Sequence, residues 1–223
     1  MKYCCRALWA LCGIASLASM GCGSTRSARV EPAGFLGDVS ELQAVEGGGR
    51  SGVYVTEPGV LRDYDAFLVD PVLVYFGTSA AAVDPDELAQ LTRTLHDEVV
   101  EELTSGGYSV VESPGPGILR IRAALTDVDP SRPAANIGAK AAGIASGVSG
   151  FMVPAVDLGG ASIEVEMLDS ETGVRVAALR DARKGRRFGG TIASAQKWGH
   201  AEAAFKEWAK ELRDHLDGLR DTK

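Results

Sequence analysis

Beyond residue 22 this 223-residue chain has no cysteine, since Cys4, Cys5, Cys12 and Cys22 are its full complement. That excludes disulfide staples, cysteine zinc sites and thiol catalysis from the body of the protein. Histidine is nearly as scarce: His96, His200 and His215 are the three present, too few for a histidine-rich metal site. Basic residues are outnumbered, 23 against 30 acidic, for a net charge of −7. Such a balance argues against nucleic acid as a partner and against broad adhesion to anionic lipid. No apolar run reaches the roughly 20 residues that a membrane-spanning helix needs. What remains is the composition of a globular domain, 45% hydrophobic and 24% charged.

The cysteines that do occur are placed informatively. Lys2 and Arg6 give a basic start, Ala7 to Gly21 form an uncharged and mostly apolar run, and Cys22 follows Gly21 directly. That layout predicts a secretory signal over 1–21 with Cys22 as the lipidated N-terminal residue of the mature chain. Acyl chains such as palmitate would then anchor the protein to a membrane. The competing reading is ordinary cleavage near Ala18 or Gly21, which leaves Cys22 a free thiol. Gly23 follows the cysteine where an aspartate would favour the inner membrane, so the expected place is the outer membrane, facing the periplasm. Losing the signal removes Lys2 and Arg6, which leaves 21 basic against 30 acidic residues and a net charge of −9.

Small polar residues from Gly23 to about Pro32 read as a tether, over 22–33, leading to a single domain over 34–220. A short apolar clip, Gly34-Phe35-Leu36-Gly37-Asp38, is expected to pack on that domain. Ala66 to Phe76 reads as a buried strand interrupted at Pro71. A helix follows: Asp84 can cap, Pro85 takes the first helical position, and Glu87 can complete a capping box. Leu88, Leu91, Leu95, Val99 and Leu103 give it one apolar stripe, and Gly106-Gly107 stops it. Tyr108 to Val111 and Ile118 to Val128 read as strands. In the second, Leu119, Ile121, Ala123 and Leu125 point one way, with Arg120, Arg122 and Thr126 on a wet face. Ile163, Val165 and Met167 alternate with Ser162, Glu164 and Glu166, and a hairpin loop at Asp169–Gly173 leads to a return strand. A final helix from about Ser194 to Leu216 carries Trp198, Ala201, Phe205, Trp208 and Leu212 on one side, and this stripe reads as core. The sum is an α+β domain, one mixed β-sheet with two helices packed on one face.

Two segments invite a partner. Gly138 to Gly150 is rich in glycine and alanine, and Ala139, Gly143 and Gly147 fall four apart, a small-residue face that permits close approach. Its uncharged window, Ala141 to Val156, has 16 residues and contains Pro154, too short and too weakly apolar to span a bilayer. The dense basic run of Arg180, Arg183, Lys184, Arg186 and Arg187 could meet anionic headgroups or wall polymers, although charge runs at strand ends are commonly solvated loops. The candidate partner-binding residues are therefore Gly143, Gly147, Arg183, Lys184, Arg186 and Arg187. Catalytic patterns are absent. Ser149 lacks the glycine spacing of a nucleophile elbow, and no second histidine stands four residues from His96. His200-Ala201-Glu202 has no paired cysteines after it and reads as helix surface. No catalytic residue, metal or cofactor is expected.

Gly34-Phe35-Leu36-Gly37-Asp38 with Ser40 and Leu42 resembles the opening of an uncharacterised bacterial lipoprotein family, domain of unknown function 3313. Asp70-Pro71-Val72, Pro114-Gly115-Pro116-Gly117, Ala124 to Val128, Asn136, Glu164-Val165-Glu166, Asp169 to Gly173 and Trp198 are similar to its further landmarks. The likeness spans roughly Gly34 to Leu216 and departs at Val39, where an aromatic is expected. It implies an exported lipoprotein and supplies no catalytic residues. Two function classes follow. One is a non-enzymatic accessory lipoprotein that binds an envelope protein or polymer at a membrane surface. The other is a binding or carrier domain for a small or lipidic ligand, accessory to envelope transport. An apolar pocket between sheet and helices would favour the second, and a filled core with an exposed Gly/Ala loop the first.

Overall fold

The computed structural model describes residues 32–43, 50–57, 59–76, 83–131, 159–184 and 196–220. The expected signal, Cys22 and most of the tether lie outside these residues. The strands are β1 (Arg50–Val55), β2 (Ala66–Val69), β3 (Leu73–Val74), β4 (Ser109–Val110), β5 (Ile118–Asp129), β6 (Gly160–Asp169) and β7 (Arg175–Lys184). The helices are α1 (Pro85–Ser105) and α2 (Gly199–Arg220), with a 3-10 turn at Val60–Asp63.

The seven strands make one sheet in the order β1-β7-β6-β5-β2-β4, with β3 also pairing β5. The pairs β1–β7, β7–β6 and β6–β5 are antiparallel, while β2 and β3 lie parallel to β5, so the sheet is mixed. Pro71 has no amide hydrogen to give a ladder, and it divides the expected Ala66–Phe76 strand into β2 and β3. Both helices cover the same face of the sheet. Leu91, Leu95 and Leu103 of α1 and Phe205, Trp208 and Leu216 of α2 join Phe67, Leu119, Ile121, Ile163 and Val165 in one core.

Helix α1 begins as its residues dictate. Asp84 stays extended (ψ 134°), and its carboxylate accepts from the amides of Asp86 (2.9 Å) and Glu87 (3.4 Å), satisfying two donors that the helix leaves free. Glu87 does not close the expected box, because its carboxylate is taken by Lys197 at 2.6 and 2.7 Å. Gly107, at φ 76°, turns the chain out of the helix as expected. The next residue, Tyr108, locks α1 to α2. Its ring stands edge-on to Phe67 at 5.4 Å, and its hydroxyl donates to Asp217 at 2.9 Å. Burial and that bond to a carboxylate oppose ionisation, and its pKa is pushed up to about 12.

Strand β5 alternates as predicted only as far as a bulge between Leu125 and Asp127. The extra residue shifts the side-chain phase, so that Val128, not Asp127, turns into the core at 1% exposure. Where β5 ends and β6 begins, the chains nearly touch. A Cβ on Gly159 would sit 2.6 Å from Ser131 Oγ and 2.9 Å from the Asp129 carbonyl, at a φ of +69°, so only glycine fits there.

Candidate functional site

Each face of the sheet carries a polar arrangement that alternation alone does not explain. On the face away from the helices, Glu164 of β6 is wholly buried and Glu166 nearly so. The sequence reading set these residues opposite the apolar side of the strand without placing anything over them. What covers Glu164 is the N-terminal clip. Gly34 and Gly37 both adopt positive φ (102° and 65°), and the Gly37 amide donates to the Gly34 carbonyl at 3.2 Å, curling the segment into a turn. The turn presents the amides of Ala33 and Leu36 to the two oxygens of Glu164, at 2.8 and 3.1 Å. Leu36 is 1% exposed, so the expected packing of the clip is observed. Arg175 completes the attachment: its guanidinium donates to the Leu36 carbonyl (2.6 Å) and pairs with Glu166 (2.9 Å). Arg122 bridges Glu166 (2.5 Å) and Asp70 (3.7 Å) beneath the Phe35 ring, and the Arg120 guanidinium donates to both carboxylate oxygens of Asp70. Asp70 and Glu166 are thus paired with arginines, while the buried Glu164 is satisfied by backbone amides. The arrangement fastens the clip to the sheet.

The helix face is different. Between the sheet on one side and the two helices on the other lies a cavity of about 160 Å³, walled by Val55, Ile121, Val165, Ala177, Leu179, Val99 and Leu212 among others. Side chains at β7 positions 177, 179, 181 and 183 face it or its border, because alternation continues inward past Leu179. The residue that alternation delivers there is Asp181, which is 0% exposed and lines the cavity. Its Oδ2 accepts from Trp208 Nε1 at 2.7 Å and from Arg183 Nε at 3.0 Å. Arg183 in turn donates to Glu211 at 2.8 Å and lies over the Trp208 ring at 5.5 Å. Asp181 Oδ1 has no hydrogen-bond partner among the described residues. His96 and His215 also border the cavity, from α1 and α2.

These positions revise the basic run. Arg183 is 3% exposed and held by two carboxylates, so it has no surface to offer a partner. Lys184 is the last residue of β7, opposite Gly160, and its side chain lies outside the described residues. Gly143, Gly147, Arg186 and Arg187 also lie outside them. His200, read from the sequence as helix surface, is 2% exposed, because α2 turns its first residues into the domain. Phe205 and Trp208, at 0% and 7%, are core as expected. Asp181 is the residue that sequence reasoning passed over. Its signal was available: it keeps the inward phase of Ala177 and Leu179, yet the density of arginines around it drew the reading toward surface charge.

Among the described residues no three His, Cys, Asp or Glu side chains cluster as a metal centre needs, and no helix is long and apolar enough to cross a membrane. A family described as "Protein of unknown function (DUF3313)" matches residues 31–212. No curated protein matches the chain. Among solved structures, it is similar to a PelC dodecamer from Paraburkholderia phytofirmans, at 12% identity over 66% of this chain and 88% of that one, with a TM-score of 0.38. The hypothetical protein CT253 from Chlamydia trachomatis matches at 12% identity over 69% and 98%, with a TM-score of 0.37. A putative neuraminyllactose-binding hemagglutinin homolog from Helicobacter pylori matches at 10% over 76% and 87%, with a TM-score of 0.32. At such identities and TM-scores these likenesses say nothing of what the chain binds or does.

Proposed function

We propose, for a chain that belongs to the DUF3313 family of proteins of unknown function, a non-enzymatic role in the cell envelope: binding a small apolar ligand beside a membrane. The observation that carries this is the cavity of about 160 Å³ between sheet and helices, walled mainly by aliphatic side chains. Well-packed interiors leave few voids larger than a water molecule. An apolar void near 150 Å³ takes up benzene-sized solutes, so this one can hold a ligand of about that size. The cavity favours a binding or carrier domain over an accessory protein that only docks an envelope protein or polymer. Gly143, Gly147, Arg186 and Arg187, on which the docking role rests, are outside the described residues.

Toluene is a suitable probe of the cavity. At about ten times its dissociation constant it should add about 1.4 kcal/mol and raise the melting temperature by about 3–6 °C, with saturation. An unchanged melting temperature at the solubility limit of toluene would overturn the binding role.

The membrane part of the proposal rests on Cys22, the sole cysteine left once a signal over 1–21 is removed. A single acyl chain anchors only marginally, and each buried methylene adds about 0.8 kcal/mol, so several chains on Cys22 would hold the domain firmly, facing the periplasm from the outer membrane. Cys22→Ala should therefore move the protein out of the membrane fraction or stall its processing. A variant that fractionates and migrates like the wild type would exclude the lipid anchor.

A further inference from the structure

Several polar residues that border the cavity, Asp70, His96, Glu211 and His215, are partly exposed, and one more is not. Asp181 is wholly buried, lines the cavity, and among the described residues finds hydrogen-bond partners through one of its two oxygens. Trp208 Nε1 and Arg183 Nε both converge on Oδ2. Oδ1 has no hydrogen-bond partner among the described residues. Buried carboxylate oxygens are ordinarily satisfied, because an acceptor withdrawn from water and left unpaired is costly. Here two donors fix the carboxylate in place, so the bare oxygen cannot rotate away to find a partner. A mainly apolar chamber with an immobilised, wholly buried acceptor at its wall is the design of a site that orients an amphiphile.

We infer that the ligand of this cavity is a small amphiphile whose hydrogen-bond-donating head, a hydroxyl or an ammonium, meets Asp181 Oδ1 while its hydrocarbon body fills the apolar space. The volume of about 160 Å³ suits a body of about six to eight heavy atoms, judged by the benzene-binding void of similar size. A carboxylate or phosphate head is disfavoured, since it would place like charge against Asp181. This deepens the binding role proposed above and depends on it.

The test compares ligands of one size that differ in the head. Benzyl alcohol and anisole are isomers; the first donates a hydrogen bond and the second only accepts. Toluene has no head, and benzylamine carries an ammonium. Calorimetric titration of the wild-type protein should give benzyl alcohol or benzylamine, or both, an affinity about tenfold or more above that of anisole and toluene, the range expected for a hydrogen bond to a charged acceptor. Which of the two binds tighter identifies the head as hydroxyl or ammonium. In Asp181→Asn, the amide oxygen is needed by Trp208 and Arg183, so the amide NH₂ faces the cavity. The preference for benzyl alcohol over anisole should then vanish or invert, with toluene affinity unchanged.

If toluene binds but benzyl alcohol and benzylamine bind no better than anisole, the cavity is real and the head-group inference is wrong, as when a water already satisfies Oδ1. If none of the four binds, the binding role fails with it. Because the isomer pair is compared on the wild-type protein, the inference stays testable even if Asp181→Asn does not fold.

Discussion

Trp208→Ala is expected to lower the unfolding free energy by about 3–5 kcal/mol, the range for removing a large aromatic side chain from a core. Trp208 is 7% exposed, stacks on Phe205 at a centroid distance of 6.1 Å, and faces the sheet over β7. Its removal acts three ways. It deletes the largest side chain at the α2–sheet contact, strips Asp181 of a hydrogen-bond donor, and takes away the ring beneath Arg183. Against a typical total of about 5–15 kcal/mol, that loss threatens folding at physiological temperature. Urea denaturation reads it directly. A midpoint that scarcely moves would mean that Trp208 contributes no core packing and that α2 is held by something else.

Arg183→Met should cost a comparable amount, about 3–5 kcal/mol, for a different reason. Methionine keeps much of the volume, so little cavity is created. What is lost is the cation beside a carboxylate that is 0% exposed, and breaking a buried pair by removing one partner strands the other charge. The second carboxylate on Arg183, Glu211, sits at the helix surface and can turn to water, so most of the penalty falls on Asp181. The double variant Arg183→Met, Asp181→Asn should therefore be more stable than Arg183→Met alone, since asparagine keeps an acceptor for Trp208 without the charge. Equal stabilities for single and double variants would show that the stranded charge is not the cause.

Local signals sufficed for much of the architecture. Helix α1 was legible because Asp84 and Pro85 start it, the leucines repeat at one face, and Gly106-Gly107 ends it, all within 24 residues of chain. The hairpin of β6 and β7 was legible because Asp169 to Gly173 is a turn sequence. In the fold, the hydroxyl of Thr172, followed by its amide, donates to Asp169 and holds that carboxyl below the usual carboxylate range. The cover over Glu164 was not legible, because the groups that bury it come from 128 and 131 residues earlier in the chain. Alternation tells which residues share a face, but not whether a distant segment will lie over it.

The inward charge pair shows a subtler limit. Arg180 and Arg183 are adjacent in a one-dimensional charge run, yet a separation of three in a strand sends them to opposite faces of the sheet. Read as composition, the run is a basic patch; read as a pleat, it delivers Asp181 and Arg183 beneath α2. The cavity could not be read at all. A void arises from the sum of side-chain volumes across the sheet and both helices, among which Ala177 is smaller than the space it faces.

Titrating toluene calorimetrically into the wild-type protein and into Ala177→Leu tests the central claim most directly. Ala177 lines the cavity from β7, and leucine adds three carbons into its space, at an overpacking cost of about 1–3 kcal/mol that a melting curve will register. The account predicts one saturable site in the wild type and none in a folded Ala177→Leu. Equal toluene binding by both proteins, or by neither, would contradict it.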